Sequence, residues 1–250
     1  FNTVNTSGSA VTLVDTNGLT FGDTTASSLS VTANGTIAQA AGSTINVTGT
    51  TTLAAGSANS ITLAEATNDF GTVNGSVSSS GVLTLNDANG IILGNLTAQA
   101  SQGLNVTANG AITQAAGSAI TVFGSRFDST GHDITLDGSA NDFQSNIDTV
   151  ATAANVTLVD SNALYLGNTT AGNLTATANG VIQDYGVINV TGTTTLAAGA
   201  TNDITLDHPA NDFGTVNTSG SAVTLVDADG LNFGDTTASS LSVTANGTIA

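Results

Sequence analysis

The chain repeats itself over long distances. Residues 1–38 return as residues 213–250, and 34 of these 38 positions are identical. The tripeptide Asn-Asp-Phe recurs with spacings of 73 and 70 residues, at 68–70, 141–143 and 211–213. Phe1 matches the third residue of this tripeptide. Because units that recur at a fixed period bury their apolar faces against their neighbours, we predict one solenoid segment of a longer array. Its modules span residues 1–69, 70–142, 143–212 and, in part, 213–250.

Short triplets of alternating apolar and polar residues recur through the first module. This period of two is typical of strands with one buried face. The triplets are Val11-Thr12-Leu13, Leu29-Ser30-Val31, Ile45-Asn46-Val47 and Ile61-Thr62-Leu63, and Leu83-Thr84-Leu85 begins the next module. We predict that the apolar members are buried and that Thr12, Ser30, Asn46 and Thr62 face water.

Successive triplets are separated by 18, 16, 16 and 22 residues, as if each occupied its own turn of a coil. We therefore predict an all-β fold, a parallel β-helix or β-solenoid of about 14 rungs of 16–22 residues. The handedness rule for parallel crossovers makes the coil right-handed. Asn-Gly turns also suit β-hairpins, but isolated hairpins with three-residue strands are barely stable.

The charge balance restricts the partners of the chain. Among 250 residues there are 18 acidic side chains and a single strong cation, Arg126, giving a net charge of −17. Binding to nucleic acids requires Lys and Arg against the phosphates, and anionic membranes attract the same residues. We therefore expect no nucleic-acid partner. No apolar run approaches the ~20 residues that span a bilayer, so we expect no membrane insertion by this segment.

Several sequence strings resemble a known family. They include Val11-Thr12-Leu13-Val14-Asp15 and Asn202-Asp203-Ile204-Thr205-Leu206. These strings resemble the repeat regions of filamentous-haemagglutinin-like bacterial surface proteins. The resemblance implies a right-handed parallel β-helix, secretion across the outer membrane, and a role in adhesion or biofilm formation. It places the segment outside the cell, at the bacterial surface, with neighbouring repeats of the same chain as its partners.

Aspartates recur at equivalent positions of the modules. Asp15, Asp87, Asp160 and Asp227 each end a strand motif, and Asp69, Asp142 and Asp212 belong to the Asn-Asp-Phe tripeptides. Their carboxylates can cap turns by accepting from backbone N–H groups. The alternative is Ca²⁺ binding, which needs six to eight oxygens. Equivalent aspartates lie about 70 residues apart and cannot share an ion. We favour capping and predict no metal or cofactor.

One stretch interrupts the repeat. Phe123, Arg126, Phe127 and His132 fall within ten residues, where the first module has the series Thr48–Leu53. They form a candidate recognition patch. The alternative is drift in one copy, with Phe127 in the slot of Leu53 and Arg126 paired with Asp128 or Asp133. Surface ion pairs of that kind contribute little.

We predict that this segment is not an enzyme. Arg126 is the only strong cation available to bind an anionic substrate, His132 and His208 lie about one module apart, and the Gly-x-Ser-x-Gly motif of serine hydrolases is absent from the sequence. The favoured interpretation is the rigid shaft of a large secreted or surface-anchored adhesin. The alternative is a binding module of the same fold for glycan, Ca²⁺ or ice. Alternating threonines such as Thr48, Thr50 and Thr52 are typical of an ice-binding face, but Ser30 and Ala64 interrupt the row of threonines on neighbouring rungs.

Overall fold

The computed structural model describes residues 3–78 and 80–250, and within these ranges it contains strands and turns without helices. The position of Phe1 lies outside them. The strands are β1 (Thr3–Asp15), β2 (Leu19–Ala33), β3 (Ile37–Gln39), β4 (Ile45–Ala55), β5 (Ile61–Leu63), β6 (Asp69–Val77), β7 (Leu83–Asp87), β8 (Ile91–Ala98), β9 (Leu104–Ala108), β10 (Ile112–Gln114), β11 (Ile120–Val122), β12 (Ser125–Asp128), β13 (Ile134–Leu136), β14 (Asp142–Phe143), β15 (Ile147–Asp160), β16 (Leu164–Ala178), β17 (Ile182–Asp184), β18 (Ile188–Ala197), β19 (Ile204–Leu206), β20 (Asp212–Ser219), β21 (Ala222–Asp227), β22 (Asn232–Thr237) and β23 (Ser240–Ala245).

The strands form a parallel β-solenoid, as the sequence predicts. Each strand pairs in parallel with strands whose residues lie 17 to 24 positions away along the chain. The coil has about 12 turns. Because parallel strands stack at about 4.8 Å, the rod is about 58 Å long.

The predicted count of 14 rungs is wrong, because successive triplets do not always lie on successive turns. Leu29 pairs with Thr51 rather than with Ile45, and Ile45 pairs with Thr24. Ile61 pairs with Ile37. The triplets of β4 and β5 therefore lie on different sides of the coil. Turns are longer and fewer than the triplet spacing indicates.

The predicted alternation of buried and exposed side chains is confirmed. The six apolar residues of the second, third and fourth triplets are at most 1% exposed. Val11 and Leu13 are only partly buried but pack against the same core. Thr12, Ser30 and Thr62 are exposed, and Asn46 is half-exposed on the outer side.

A module spans three turns and one further strand. From Ile37, the paired positions one, two and three turns on are Ile61, Leu83 and Leu104. The module equivalent of Ile37 is Ile112, which lies on the next strand of the same turn as Leu104. Because a complete turn here carries three strands, β9, β10 and β11, the module amounts to about three and one-third turns.

The same rotation recurs at every module. Ile112 leads by three pairings to Leu174, and its equivalent Ile182 again lies on the following strand. Ile249, one module later, pairs with Leu231 and returns to the side of the coil that holds Ile37. Identical features therefore point in three directions and realign only after three modules. The prediction that each of the four triplets of a module occupies its own turn is corrected to this non-integral number of turns.

Glycines permit close approach between turns at one equivalent position of all four modules. These residues are Gly35, Gly110, Gly180 and Gly247. A Cβ at any of them would lie 2.7 to 2.8 Å from backbone atoms of the neighbouring turn. Real Cβ atoms do not approach backbone so closely, so the position requires glycine for packing reasons.

Buried hydroxyls occupy another equivalent position. Thr51, Ser125 and Thr194 are fully buried, and their hydroxyl oxygens have no hydrogen-bond partner among the described residues. Each sits between apolar neighbours on adjacent turns; Thr194 pairs with Leu174 and Val216. Desolvating a hydroxyl without a hydrogen bond costs free energy that the isosteric valine avoids.

We therefore expect Thr194→Val to stabilise the chain by about 1 kcal/mol. Chemical denaturation of the natural chain and the variant measures this difference. The matched control is Thr24→Val, since Thr24 is equally buried but donates its hydroxyl to Gly22 O at 3.3 Å. That change should be neutral or destabilising. A loss of stability in Thr194→Val would show that its hydroxyl has a partner.

Candidate functional site

Buried aspartates close turns at an equivalent position of the modules, and three of them also join neighbouring turns. Asp87 accepts from Phe70 N at 2.7 Å and from Asn89 N at 2.9 Å. Asp160 accepts from Phe143 N at 2.8 Å and from Asn162 N at 2.7 Å. Asp227 binds Phe213 N and Asp229 N in the same way, and Asp15 accepts from Asn17 N. The predicted capping role is confirmed for these four aspartates, because one oxygen closes the local turn and, in Asp87, Asp160 and Asp227, the other holds the Phe of Asn-Asp-Phe. Asp69 and Asp142, which were also predicted to cap turns, accept instead from the side-chain amides of Asn89 and Asn162.

Burial raises the pKa of the carboxyl groups of Asp87, Asp160 and Asp227. Desolvation raises the pKa of Asp160 to about 6, against hydrogen bonds from Asn162 and Phe143 that favour the charged form. The charge of Asp142 also raises it. Desolvation likewise raises the pKa of Asp87 and of Asp227.

The raised pKa of Asp160 gives stability a definite dependence on pH. Between about pH 6 and pH 4 the folded chain binds a proton that the unfolded chain, with its Asp pKa of 3.8, does not bind. Stability should therefore rise as pH falls through this window.

We expect the melting temperature in about 0.5 M salt, which screens surface repulsion, to increase from pH 7 to pH 5. Asp160→Asn should reduce that increase, whereas Asp137→Asn, which removes an exposed carboxylate, should not. Equal slopes in both variants would contradict this assignment.

The Asn of each Asn-Asp-Phe tripeptide is buried and forms a second link between turns. Asn68 Oδ1 accepts from Ile45 N at 2.9 Å and from Gln39 Nε2 at 2.6 Å. Asn141 makes the equivalent bonds with Ile120 N and Gln114 Nε2. Sequence reasoning missed this role because it treated the aspartate as the functional residue of the tripeptide. An Asn that is completely buried at the same position of each module has a structural role.

A third set of polar links runs along the outer surface. Asn74 Oδ1 accepts from Asn95 N at 2.8 Å, and Asn95 Oδ1 accepts from Ala119 N at 3.0 Å. The equivalents elsewhere in the chain begin at Asn5, Asp148 and Asn217. These oxygens satisfy backbone donors at strand irregularities. These repeated Asp and Asn side chains thus serve the stacking of turns.

Three carboxylates meet at the last module boundary. One oxygen from each of Asp212, Asp227 and Asp229 lies within 4.8 Å of the others. Earlier modules have Asn89 or Asn162 in place of Asp229, and these amides donate to Asp69 and Asp142 at 3.2 Å. The cluster offers hard oxygen ligands of the kind that Ca²⁺ takes. Sequence reasoning compared only equivalent aspartates and so missed residues that adjacent turns bring together.

The predicted recognition patch does not assemble as a whole. Phe127 is fully buried in the core, as expected if it fills the slot of Leu53. Arg126 binds Asp128 at 2.9 Å, with its side chain 44% exposed. Phe123 and His132 are exposed on either side of β12, and His132 Nδ1 lies 3.1 Å from Ser129 O. Only three of the four predicted residues therefore face solvent.

A second interruption of the repeat becomes visible only in three dimensions. Tyr165, Asp184, Tyr185 and His208 replace smaller or neutral residues of the first two modules. The rings of Tyr165 and Tyr185 are 5.4 Å apart, tilted by 32°. Asp184 Oδ2 accepts from His208 N at 3.1 Å and from Asn211 Nδ2 at 2.6 Å. Four substitutions that are scattered in the sequence thus lie close together on three successive turns.

The chain between Asp184 and Ile188 is also two residues shorter than its equivalents in the first two modules. The signal that could have found this cluster is a comparison of every module position along stacked turns. No helix of the described residues is long and apolar enough to cross a membrane.

Comparison with known proteins identifies the repeat. A family model described as repeats of unknown function (DUF5649) matches residues 8–76, 80–150, 153–219 and 220–250. Its repeats begin seven to ten residues later than the predicted modules but follow nearly the same period. No curated protein and no solved structure matches the chain. The four matches cover nearly the whole sequence, and the chain therefore belongs to the DUF5649 family of repeats of unknown function.

Proposed function

We propose that this segment is a rigid, non-enzymatic spacer within a larger protein of the bacterial surface. Its role is to hold a binding region of an adhesin away from the cell. The likeness of its sequence strings to filamentous-haemagglutinin-like repeats supports an extracellular location. The observation that carries the proposal is the rotation of each module by one-third of a turn.

This rotation distributes repeated side chains around the rod. A side chain that occurs once per module recurs on the same side only after three modules, about ten turns, or roughly 48 Å. A flat face for ice or another extended ligand requires the same residues on one side of successive turns. The arrangement favours a shaft with similar sides over such a face.

Local stacking also suits a spacer. The polar links join turns close in sequence, as when Asp87 holds Phe70 and Asn68 holds Ile45. In a repeat protein, stability is then close to a sum of terms within and between neighbouring units. Added modules lengthen such a rod without a new core.

The spacer role can be tested by displaying the rod on cells. One set of cells carries the rod alone, a second carries it beneath an unrelated binding domain, and a third carries that domain on a rod lacking residues 143–212. We expect the longer rod to reach a ligand buried in a polymer layer better than the shorter one, and the rod alone to give no adhesion. Strong adhesion by the rod alone would instead identify it as a binding module.

A further inference from the structure

The tyrosine pair of the third module is the clearest surface feature that stacking does not explain. Tyr185 is 68% exposed, whereas its equivalents in the first two modules are Ala40 and Ala115. Tyr165 is half-buried and replaces Thr20 and Ile92. Tyrosine is enriched at binding sites, because its ring offers an apolar face while its hydroxyl stays in water.

The two rings hold each other in place. Their centroids are 5.4 Å apart with planes inclined by 32°. Side-by-side coplanar rings would collide at this separation, so the rings stack obliquely. Tyr165 therefore supports Tyr185 from one side and leaves the rest of the Tyr185 ring open to solvent. A supported ring loses little side-chain freedom when a ligand binds.

Carboxylates lie on the turns around the pair. Asp184 precedes Tyr185, and Asp207 lies one turn further on, with its N–H donating to Asp184 Oδ1 at 3.1 Å. The three donors to Asp184 are neutral amide groups, so they leave its negative charge in place. Asp148, one turn before, pairs in register with Arg126, which binds Asp128.

We propose that Tyr165 and Tyr185 bind the alkylated ammonium group of an organic cation. A cation over the face of an aromatic ring is attracted by the ring quadrupole. The net charge of −17 concentrates cations at the surface and repels anionic ligands. This proposal goes beyond the spacer role and can fail without affecting it.

The size of the site favours a small group over a protein surface. A stable protein interface buries about 800 Å² on each partner, far more than the exposed part of one tyrosine ring. The side chains that follow Tyr165 on the same outer row are Gln183 and Thr205. The ring therefore matches a group the size of trimethylammonium, as in choline or in the headgroup of phosphatidylcholine.

Tyrosine fluorescence gives a direct test, because the chain has two Tyr and no Trp. All tyrosine emission therefore comes from this site. Choline chloride should change the emission saturably, with a dissociation constant in the millimolar range. Raising NaCl from about 20 to about 200 mM should weaken binding at least about threefold, because screening reduces the attraction. The uncharged isostere 3,3-dimethylbutanol should give no saturable change.

Variants that restore the residues of the first module provide matched controls. Tyr185→Ala keeps Tyr165 as the reporter and should weaken choline binding at least about tenfold, the effect of losing about 1.4 kcal/mol. Ile92→Thr also restores a residue of the first module, at the second-module position equivalent to Tyr165, and should leave binding unchanged. Circular dichroism confirms that each variant is folded.

Phosphatidylcholine vesicles distinguish the source of the ligand. Flotation with vesicles that depends on Tyr185 indicates a lipid headgroup, whereas choline binding without flotation indicates a soluble cation. The proposal is overturned if choline gives no saturation up to about 100 mM, a range that covers weak exposed-site binding. It is also overturned if the uncharged isostere or a neutral sugar binds equally well, or if Tyr185→Ala keeps full affinity.

Discussion

Gly110→Ala is expected to destabilise the chain by about 3 kcal/mol, the upper range for overpacking. The new Cβ would lie 2.8 Å from the backbone C and O atoms of Asn89 and 2.9 Å from Gly90 N. These atoms belong to the neighbouring turn, whose spacing is fixed by the strand pairing of Ile91 with Ile112. Relief of the clash requires the two turns to separate. Urea denaturation followed by circular dichroism measures the loss.

Gly117→Ala separates this packing effect from backbone strain. Gly117 has φ = +75°, but a Cβ there would meet nothing within 4 Å. Its replacement should cost only about 1 kcal/mol, the cost of placing alanine in a left-handed conformation. Equal effects of the two substitutions would contradict the close approach of turns at Gly110.

The second large effect on stability is expected from deletions, and it depends on whether a whole module or only part of a turn is removed. Removal of residues 143–212 takes out 70 residues, one module, and joins Asp142 to Phe213 so that Asn-Asp-Phe is restored. Because Val122 pairs with Phe143 and would now meet Phe213, the local sequence at the seam suits the fold. We expect the shortened chain to keep its β circular dichroism and to melt within a few degrees of the natural chain.

Removal of residues 29–36 should have the opposite outcome. These eight residues form part of one turn, and Leu29 and Val31 pair with residues on both adjacent turns. Their loss shifts the following inward side chains and leaves strand edges unpaired. We expect this variant to melt far lower or to aggregate. A harmless small deletion together with a large deletion that unfolds the chain would indicate a closed globular domain.

Local alternation predicted the class of fold and the buried face. It succeeded because the period of two is a direct consequence of strand geometry, as the burial of Leu29 and Val31 shows. The number of turns could not be predicted in this way. Ile45 and Ile61 carry the same pattern as Leu29, and the pattern does not distinguish a new turn from another side of the same turn.

Among the polar residues, too, local roles could be predicted and contacts between turns could not. The capping role of Asp87 and Asp160 followed from chemistry that acts within a few residues, so the sequence contained it. The links from Asn68 to Gln39 and from Tyr165 to Tyr185 depend on which turns are stacked. If each turn were one strand longer or shorter, these residues would have entirely different neighbours. Composition does not determine how many strands make up a turn.

Small-angle X-ray scattering of the natural chain and of the chain lacking residues 143–212 measures the shape on which the spacer account depends. Loss of three and one-third turns should shorten the rod by about 16 Å, since each turn advances about 4.8 Å. The radius of the cross-section should stay the same. A change in the cross-section with an unchanged maximum dimension would contradict a solenoid whose length is set by the number of its modules.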